Sequence, residues 1–411
     1  MQNSLHPCAQ DNAQAAGYYE KFHFKHVFSI STAHAAHDTF SGFLPPLLPI
    51  LIENLAITKT AAGLLSIFMR IPNLFQPFIG YLADHYNLKI LVILAPAITA
   101  IVMSLVGVAP TYAWVALLVF LAGASSAAIH AVAPVISGRL SGANLGRGMS
   151  YWMVGGELGR VLGPLLIVVA IDKMGLKNTP WIMLIGILAS LMLYFALKNT
   201  PVQIIPKEDS GPQIKAVFKK MGALMVPMFV LLALRGLLFA GSTMYLPTYL
   251  MEKGSGLVFS GAALSILEGA GIVGALLGGS ISDRIGRKTI IIFSILTTPL
   301  FTFFFLFSSG IFSVLWLICI GFSMLSISPP MMALVQESFS ESRSLANGIY
   351  MAINFITSST GIYLVGLMGD RYSLSTAISI SAIAMLVGFP LIFFLPDAKT
   401  VQKYNQSKSN P

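Results

Sequence analysis

The chain has 411 residues, 55% of them hydrophobic and only 10% charged, against the roughly 25% charged residues of a soluble domain. That much apolar surface cannot be hidden in one water-soluble core of this size, which excludes a soluble enzyme or binding module. The net charge of +9 does not point to nucleic acid. With both termini placed inside, 17 of the 25 Lys and Arg fall in the inner segments and five outside (Lys59, Lys173, Lys177, Lys253 and Arg371), the bias that sets membrane topology.

Residues 1–25 are polar, lack the apolar core of a signal peptide, and read as a cytoplasmic tail. From there, apolar runs of membrane-crossing length follow one another, each near the roughly 20 residues that a spanning helix needs. They lie near 26–52, 58–83, 88–109, 111–139, 148–172 and 179–198. The polar stretch 199–221, with Pro201, Pro206 and Pro212, interrupts the series. A second set lies near 222–251, 257–282, 289–309, 311–338, 345–369 and 373–396, before a polar tail over 398–411. The pattern predicts an all-α integral membrane protein of twelve transmembrane helices, in two six-helix bundles over 26–198 and 222–397. Pro45–Pro46 and Pro329–Pro330 predict kinks in the first and tenth spans. Cys8 and Cys319 lie far apart in this topology, so no disulfide is expected.

Ionisable groups at mid-membrane cost about 2.5–3.5 kcal/mol each on insertion scales, and are functional candidates for that reason. Six fall near span centres: Asp38, Arg70, Glu157, Arg160, Arg235 and Glu268. Glu157 and Arg160 are three apart and share a helical face. Arg70 and Arg235 come from opposite halves, and a planar guanidinium grips carboxylate or phosphonate bidentately. Both therefore read as binding residues for an anion, with Arg160, His130 and Tyr245 as further substrate candidates. His34 and Asp38 are four apart and stack on one face, while His37 points elsewhere. A buried His–carboxylate pair titrates in a useful range, so His34, Asp38, Glu157 and Glu268 are the proton-coupling candidates. Each has a structural alternative: Arg160 as a link to Glu157, Glu268 as a partner for Arg235, and His130 as a satisfied core histidine.

The halves repeat. GYLADHYNLK at 80–89 returns as GSISDRIGRK at 279–288, and Gly163 and Asp172 recur as Gly361 and Asp370. The second copy of the loop carries Gly279, Asp283, Arg284, Gly286, Arg287 and Lys288; the first keeps Gly80, Asp84 and Lys89, with His85 and Asn87 at two other motif positions. This tract resembles the signature loop of the major facilitator superfamily, which implies duplicated halves with the site between them and a cytoplasmic gating role for these residues. In SISTAHAAHD, LAGASSAAIHAV, YWMVGGELGRVLGPLL and GLMGDRYS the chain resembles the fosmidomycin-resistance branch of that superfamily. Gly159, Gly163 and Pro164 resemble the core of a helix-five motif of proton-driven antiporters, without the Gly-Gly that usually follows.

These features predict a secondary active transporter working by alternating access, with proton-coupled efflux of small anionic or amphiphilic compounds as the leading reading. Fosmidomycin is a phosphonate, so the branch resemblance points the same way as the arginines. An uptake symporter for an organic anion and a non-transporting sensor are the alternatives. No phosphate-binding loop, metal-ligand spacing or nucleophile elbow is present, so neither metal nor cofactor is expected and the proton gradient supplies the energy. The expected setting is a bacterial or archaeal plasma membrane, multi-pass, with both termini cytoplasmic and the protein monomeric.

Overall fold

A proline removes the amide that would bond the carbonyl four residues earlier, so two close together unbond two carbonyls in mid-helix. The computed structural model, which describes residues 21–200, 214–338 and 343–395, breaks the spans at such pairs. The first span runs as α1 (Phe24–Ser41), then restarts as α2 (Leu44–Asn54). Pro45 and Pro46 thereby occupy the opening turn of α2, where amides have no helical partner to lose. The second span is α3 (Lys59–Arg70), a 3-10 turn over Ile71–Phe75, and α4 (Gln76–His85), with Pro72 and Pro77 each early in its piece.

The next four spans are α5 (Lys89–Leu105), α6 (Tyr112–Leu140), α7 (Leu145–Met174) and α8 (Met183–Leu197). The second half comprises α9 (Ile214–Thr243), α10 (Leu246–Glu252), α11 (Leu257–Ile285), α12 (Arg287–Leu306), α13 (Ile311–Ser326), α14 (Ser328–Ser338), α15 (Arg343–Arg371) and α16 (Leu374–Val387). The tenth span divides between α13 and α14, so that Pro329 and Pro330 again open a helix. Among the described residues, ten helical stretches, from Lys89–Val108 to Leu374–Phe394, are long and apolar enough to cross a membrane. They are the third to twelfth of the expected spans; the first two are present as shorter pieces. The expected tails, most of the 199–221 linker and the Asp84 side chain lie outside the described residues.

The chain divides into two compact units. The first is Met1–Leu44 with Phe68–Asp209, and the second is Pro45–Ile67 with Ser210–Pro411. The stretch 45–67, which the sequence repeat assigns to the first half, thus packs within the second unit.

In the first unit, α1 lies on α7 at backbone contact. A Cβ on Gly155 would strike the Ser31 carbonyl, one on Gly159 would lie 2.5 Å from the Ala35 carbonyl, and one on Gly163 would strike Thr39 O. Small residues at every turn let membrane helices approach this closely. The second unit repeats the device, since a Cβ on Gly361 would meet Gly236 O at 2.5 Å, joining α15 to α9. The duplicated Gly163/Gly361 is thus the same close approach made twice. Gly271, Gly274 and Gly278 of α11 do likewise against α13, touching Leu325, Phe322 and Ser326.

The stretch 45–67 is held by polar contacts at the first turn of α3. Asp370, at the end of α15, accepts hydrogen bonds from Lys59 N (2.7 Å), Thr60 N (2.9 Å) and Thr60 Oγ1 (2.6 Å). Thr58 Oγ1 accepts from Ala61 N at 3.1 Å, so these amides, which have no partner within a helix, are all bonded. Lys59 Nζ pairs with Glu252 at 2.9 Å.

The signature loop differs between its copies for a backbone reason. Gly286 joins α11 to α12 at φ +98°, a region that only glycine enters freely. The first copy turns without a positive φ, and Asn87 Oδ1 accepts from Lys89 N at 3.2 Å instead.

Candidate functional site

The first unit gathers three histidines around Asp38. Helix α1 carries His34, His37 and Asp38, and α6 brings His130 across to them. His34 Nε2 lies 3.3 Å from Asp38 Oδ2 and 3.2 Å from His130 Nε2. His130 Nε2 is 3.7 Å from Asp38 Oδ1. His37 Nε2 lies 3.9 Å from Asp38 Oδ1, which corrects the expectation that His37 points elsewhere. As the residue next to Asp38 in the chain it starts on another face, but its ring is long enough to reach back to the carboxylate.

Each ring is held by its other nitrogen. His34 Nδ1 donates to Trp152 O and His130 Nδ1 to Ser126 O, both at 2.9 Å. His37 Nδ1 meets Thr99 Oγ1 at 3.0 Å; Thr99 donates to Ser125 Oγ at 2.9 Å, and Ser125 to Ala95 O at 3.0 Å. Ser125 spends its one proton on a carbonyl and Thr99 spends its own on Ser125, so Thr99 can only accept from His37 Nδ1–H. The Trp152 indole stacks on the His34 ring, centroids 3.5 Å apart and planes 9° from parallel. Asp38 is 13% exposed at its side chain and His130 32%, while His37 is fully buried, so the wet edge of the cluster is His130.

The glycines of α7 make the room for this arrangement. A Cβ on Gly156 would strike His34 Cε1 and lie 3.1 Å from Asp38 Oδ2, and one on Gly159 would lie 2.7 Å from Asp38 Cβ. Gly159, Gly163 and Pro164 are therefore the α1–α7 seam itself, with Pro164 Cδ 3.4 Å from the position of a Cβ on Gly42. His34, Asp38 and His130 each offer one ligand-capable atom, all within 4.8 Å of one another. Three such atoms are one fewer than a closed zinc site takes.

Glu157 and Arg160 form an ion pair on α7, with the Arg160 side chain 45% exposed. Arg70 is half-buried at the end of α3, and Glu268 half-buried on α11. Arg235, 8% exposed, belongs to the second unit. Its Nη2 donates to Met324 O (3.2 Å) and Ser328 Oγ (3.1 Å), and its guanidinium carbon lies 5.4 Å from the Phe239 ring centre. Arg235 Nε has no partner among the described residues. A buried guanidinium that bonds a carbonyl and a hydroxyl, not a carboxylate, retains capacity for an anion.

Tyr245 is a correction. It is completely buried, and its hydroxyl bonds Ile362 O at 3.0 Å and Lys59 O at 3.2 Å, so its one proton is committed to protein. Gly63 and Gly366 open the space it fills. It holds the 45–67 stretch in place instead of facing a substrate.

The signature-loop residues form an ionic node within the second unit. Arg287 Nη1 meets Asp283 Oδ1 at 2.5 Å and Ser282 Oγ at 2.6 Å, and its Nη2 meets Glu337 Oε1 of α14 at 2.7 Å. Arg284 is exposed and Lys288 half-buried, and nothing approaches the Gly80 Cβ position within 4 Å, while a Cβ on Gly279 would lie 3.3 Å from Pro329. In the first copy, Lys89 Nζ bonds Leu197 O (2.8 Å) and Thr200 O (3.1 Å), closing the end of α8. Glu337 as the partner of Arg287 was not read from the sequence, because it lies 50 residues downstream with no spacing to mark it; Thr99, Ser125 and Trp152 escaped for the same reason.

The family model described as Major Facilitator Superfamily matches residues 30–342 and 269–410. Over 378 residues the chain is 27% identical to the fosmidomycin resistance protein of Escherichia coli (strain K12), covering 90% of this chain and 92% of that one. It is 28% identical over 284 residues to a multidrug resistance protein, MdtG, of Serratia proteamaculans (strain 568), covering 63% and 66%. Among solved structures, a mutant of the nucleoside transporter NupG superposes with a TM-score of 0.74 at 17% identity, over 90% of this chain and all of that one. A D-xylose-proton symporter gives 0.71 at 14% identity, over 92% and 99%.

Proposed function

The chain belongs to the Major Facilitator Superfamily, and on that premise we propose that it exports small anionic or amphiphilic compounds in exchange for protons. Members of this family are multi-pass membrane transporters of small molecules and not enzymes. The His34–Asp38–His130 cluster carries the proposal: a carboxylate 3.3 Å from one imidazole and 3.7 Å from a second, half-exposed one is a place inside a lipid-embedded bundle where a proton can be held. Arg235 supports an anionic cargo, being nine-tenths buried with an orphaned Nε and no carboxylate partner among the described residues. Arg70 is proposed as a second contact to the same class of compound.

Efflux is favoured over uptake by the relatives, named for fosmidomycin resistance and multidrug resistance. Fosmidomycin is a phosphonate, which fits a bidentate guanidinium. The proposed energy source is the proton gradient alone, with no cofactor, in the inner membrane of a bacterium, with both termini cytoplasmic and the protein acting as a monomer. Glu157 and Glu268 remain proposed as secondary proton carriers.

The test is ligand-induced thermal stabilisation of the purified protein by fosmidomycin, simple phosphonates, carboxylates and lipophilic cations, since a ligand that binds only the folded state raises its unfolding midpoint. Anions are expected to stabilise, and Arg235→Met to remove the effect while leaving the unliganded midpoint within a few degrees. Stabilisation by lipophilic cations alone would reject the anionic cargo.

A further inference from the structure

The hydrogen-bond bookkeeping of the histidines has a consequence for what the site holds. His34, His37 and His130 all give their Nδ1–H to protein oxygens: Trp152 O, Thr99 Oγ1 and Ser126 O. A neutral imidazole has one N–H, so the Nε2 of each neutral ring is a bare lone pair. All three Nε2 atoms face Asp38, whose ionised carboxylate is acceptor-only. Four acceptors then meet with no donor among them, except that Ser41 Oγ, 3.5 Å from His37 Nε2, can serve that one ring. At His34 the conflict is sharpest, because its Nε2 stands 3.2 Å from His130 Nε2 and 3.3 Å from Asp38 Oδ2. Two lone pairs at hydrogen-bond distance repel unless a proton lies between them.

We infer that this structure shows the cluster loaded, with a bound proton on His34 Nε2 shared between Asp38 Oδ2 and His130 Nε2. One proton there converts both short contacts into charge-assisted hydrogen bonds. The imidazolium and Asp38 carboxylate sum to zero charge, which suits burial. A second observation points the same way independently. Trp152 covers the face of His34 in a parallel stack, and an indole face attracts a cation. The wet edge is His130, so the proton reaches His34 through His130 and not through the buried His37.

Among the described residues, the ion-pair contacts of Asp38 are with His34, His37 and His130. Helix α5 presents Thr99, and its one charged residue, Lys89, bonds carbonyls at the end of α8. Helix α6 has only His130 and, in its last turn, Arg139. Helix α7 presents Gly156 and Trp152; its Glu157 and Arg160 form an ion pair, and Arg147 and Asp172–Lys173 lie toward its ends; α8 contains no ionisable residue but Tyr194. A metal ion would also satisfy an acceptor-only pocket, since donors on a tetrahedral ion stand about 3.3 Å apart, and the chelator in the experiment below separates the two occupants.

The inference extends the proton-coupling reading, yet its test does not depend on transport. Protein labelled with nitrogen-15 histidine, in lipid nanodiscs treated with a chelator, is measured by nitrogen NMR at about pH 8, with His34 assigned by the signal lost in His34→Gln. Among the seven histidines, His34 is expected to show both nitrogens protonated, and His37 and His130 to be protonated at Nδ1 only. In Asp38→Asn the side-chain amide can itself donate to Nε2, so His34 is expected to lose its second proton. Trp152→Leu is expected to weaken but not abolish the cationic signal. A bare Nε2 on wild-type His34 would overturn the inference, whatever Asp38→Asn does. Stoichiometric zinc before chelation, with a spectrum that changes on its removal, would overturn it in favour of a metal. A doubly protonated His34 in a protein whose transport ignores pH gradients would leave this inference standing and defeat the coupling reading instead.

Discussion

Replacing Gly159 by Ala puts a methyl group where the structure has none to spare. The new Cβ would lie 2.5 Å from Ala35 O, 2.7 Å from Asp38 Cβ and 2.9 Å from Thr39 N, two of them backbone atoms that cannot rotate away. Ordinary contact begins near 3.4 Å, so α1 and α7 must part by roughly 0.9 Å, at a cost of about 1–3 kcal/mol for overpacking. That same displacement stretches the 2.9 Å bond from His34 Nδ1 to Trp152 O past hydrogen-bond reach, and a lost hydrogen bond adds about 1 kcal/mol. The variant should therefore lose about 2–4 kcal/mol, with pH-gradient-driven accumulation falling further than gradient-free exchange. Gly146→Ala is the control on the same helix: nothing lies within 4 Å of its Cβ position, and Ala improves helix propensity by about 1 kcal/mol. Thermal unfolding in detergent and both transport modes in proteoliposomes measure the contrast. A Gly159→Ala protein as stable and as coupled as wild type would refute the seam as the support of the cluster.

Three further outcomes follow from single contacts. Asp370→Ala removes an exposed cap from the first turn of α3 and should cost about 1 kcal/mol; cysteine accessibility at a reporter in 45–67 should rise, and unchanged accessibility would deny Asp370 this holding role. Tyr245→Phe leaves Lys59 O and Ile362 O without their shared donor, so stability should fall by about 1–2 kcal/mol while substrate affinity stays put; a selective affinity loss would restore Tyr245 to the binding site. Arg287→Ala should release α14 from the Asp283–Arg287–Glu337 node, and Glu337→Ala should reproduce its phenotype with a non-additive double variant; additive effects would show that the pair does not act as one.

The membrane class and the proline breaks were legible because each follows from local chemistry. Apolar length needs only counting, and Pro45–Pro46 and Pro329–Pro330 forbid two helical bonds wherever they stand. His34 and Asp38 were legible for the same reason, since a separation of four residues places them on one helical face. What joined them was not. His130 sits 92 residues beyond Asp38, and no periodicity says that α6 crosses α1 at that height. His37 was misread because face arithmetic treats a side chain as a direction and ignores the reach of an imidazole. Tyr245 was named as a substrate candidate, yet its hydroxyl ties the carbonyls of Lys59 and Ile362, partners 186 and 117 residues away that no local pattern marks. Gly159 and Gly163 resembled an antiporter signature; in the structure each is explained by the atom of α1 it faces, Ala35 O and Thr39 O.

The central claim is coupling to protons through Asp38. The most direct measurement is accumulation of a labelled anion that stabilises the purified protein, in proteoliposomes under an imposed pH gradient, beside gradient-free counterflow, for wild type and Asp38→Asn. The account predicts uptake into wild-type vesicles whose lumen is more acidic than the bath, and its abolition in Asp38→Asn with counterflow retained. Accumulation driven by the opposite gradient would make the protein a symporter, and accumulation unchanged in Asp38→Asn would contradict the role given to the cluster.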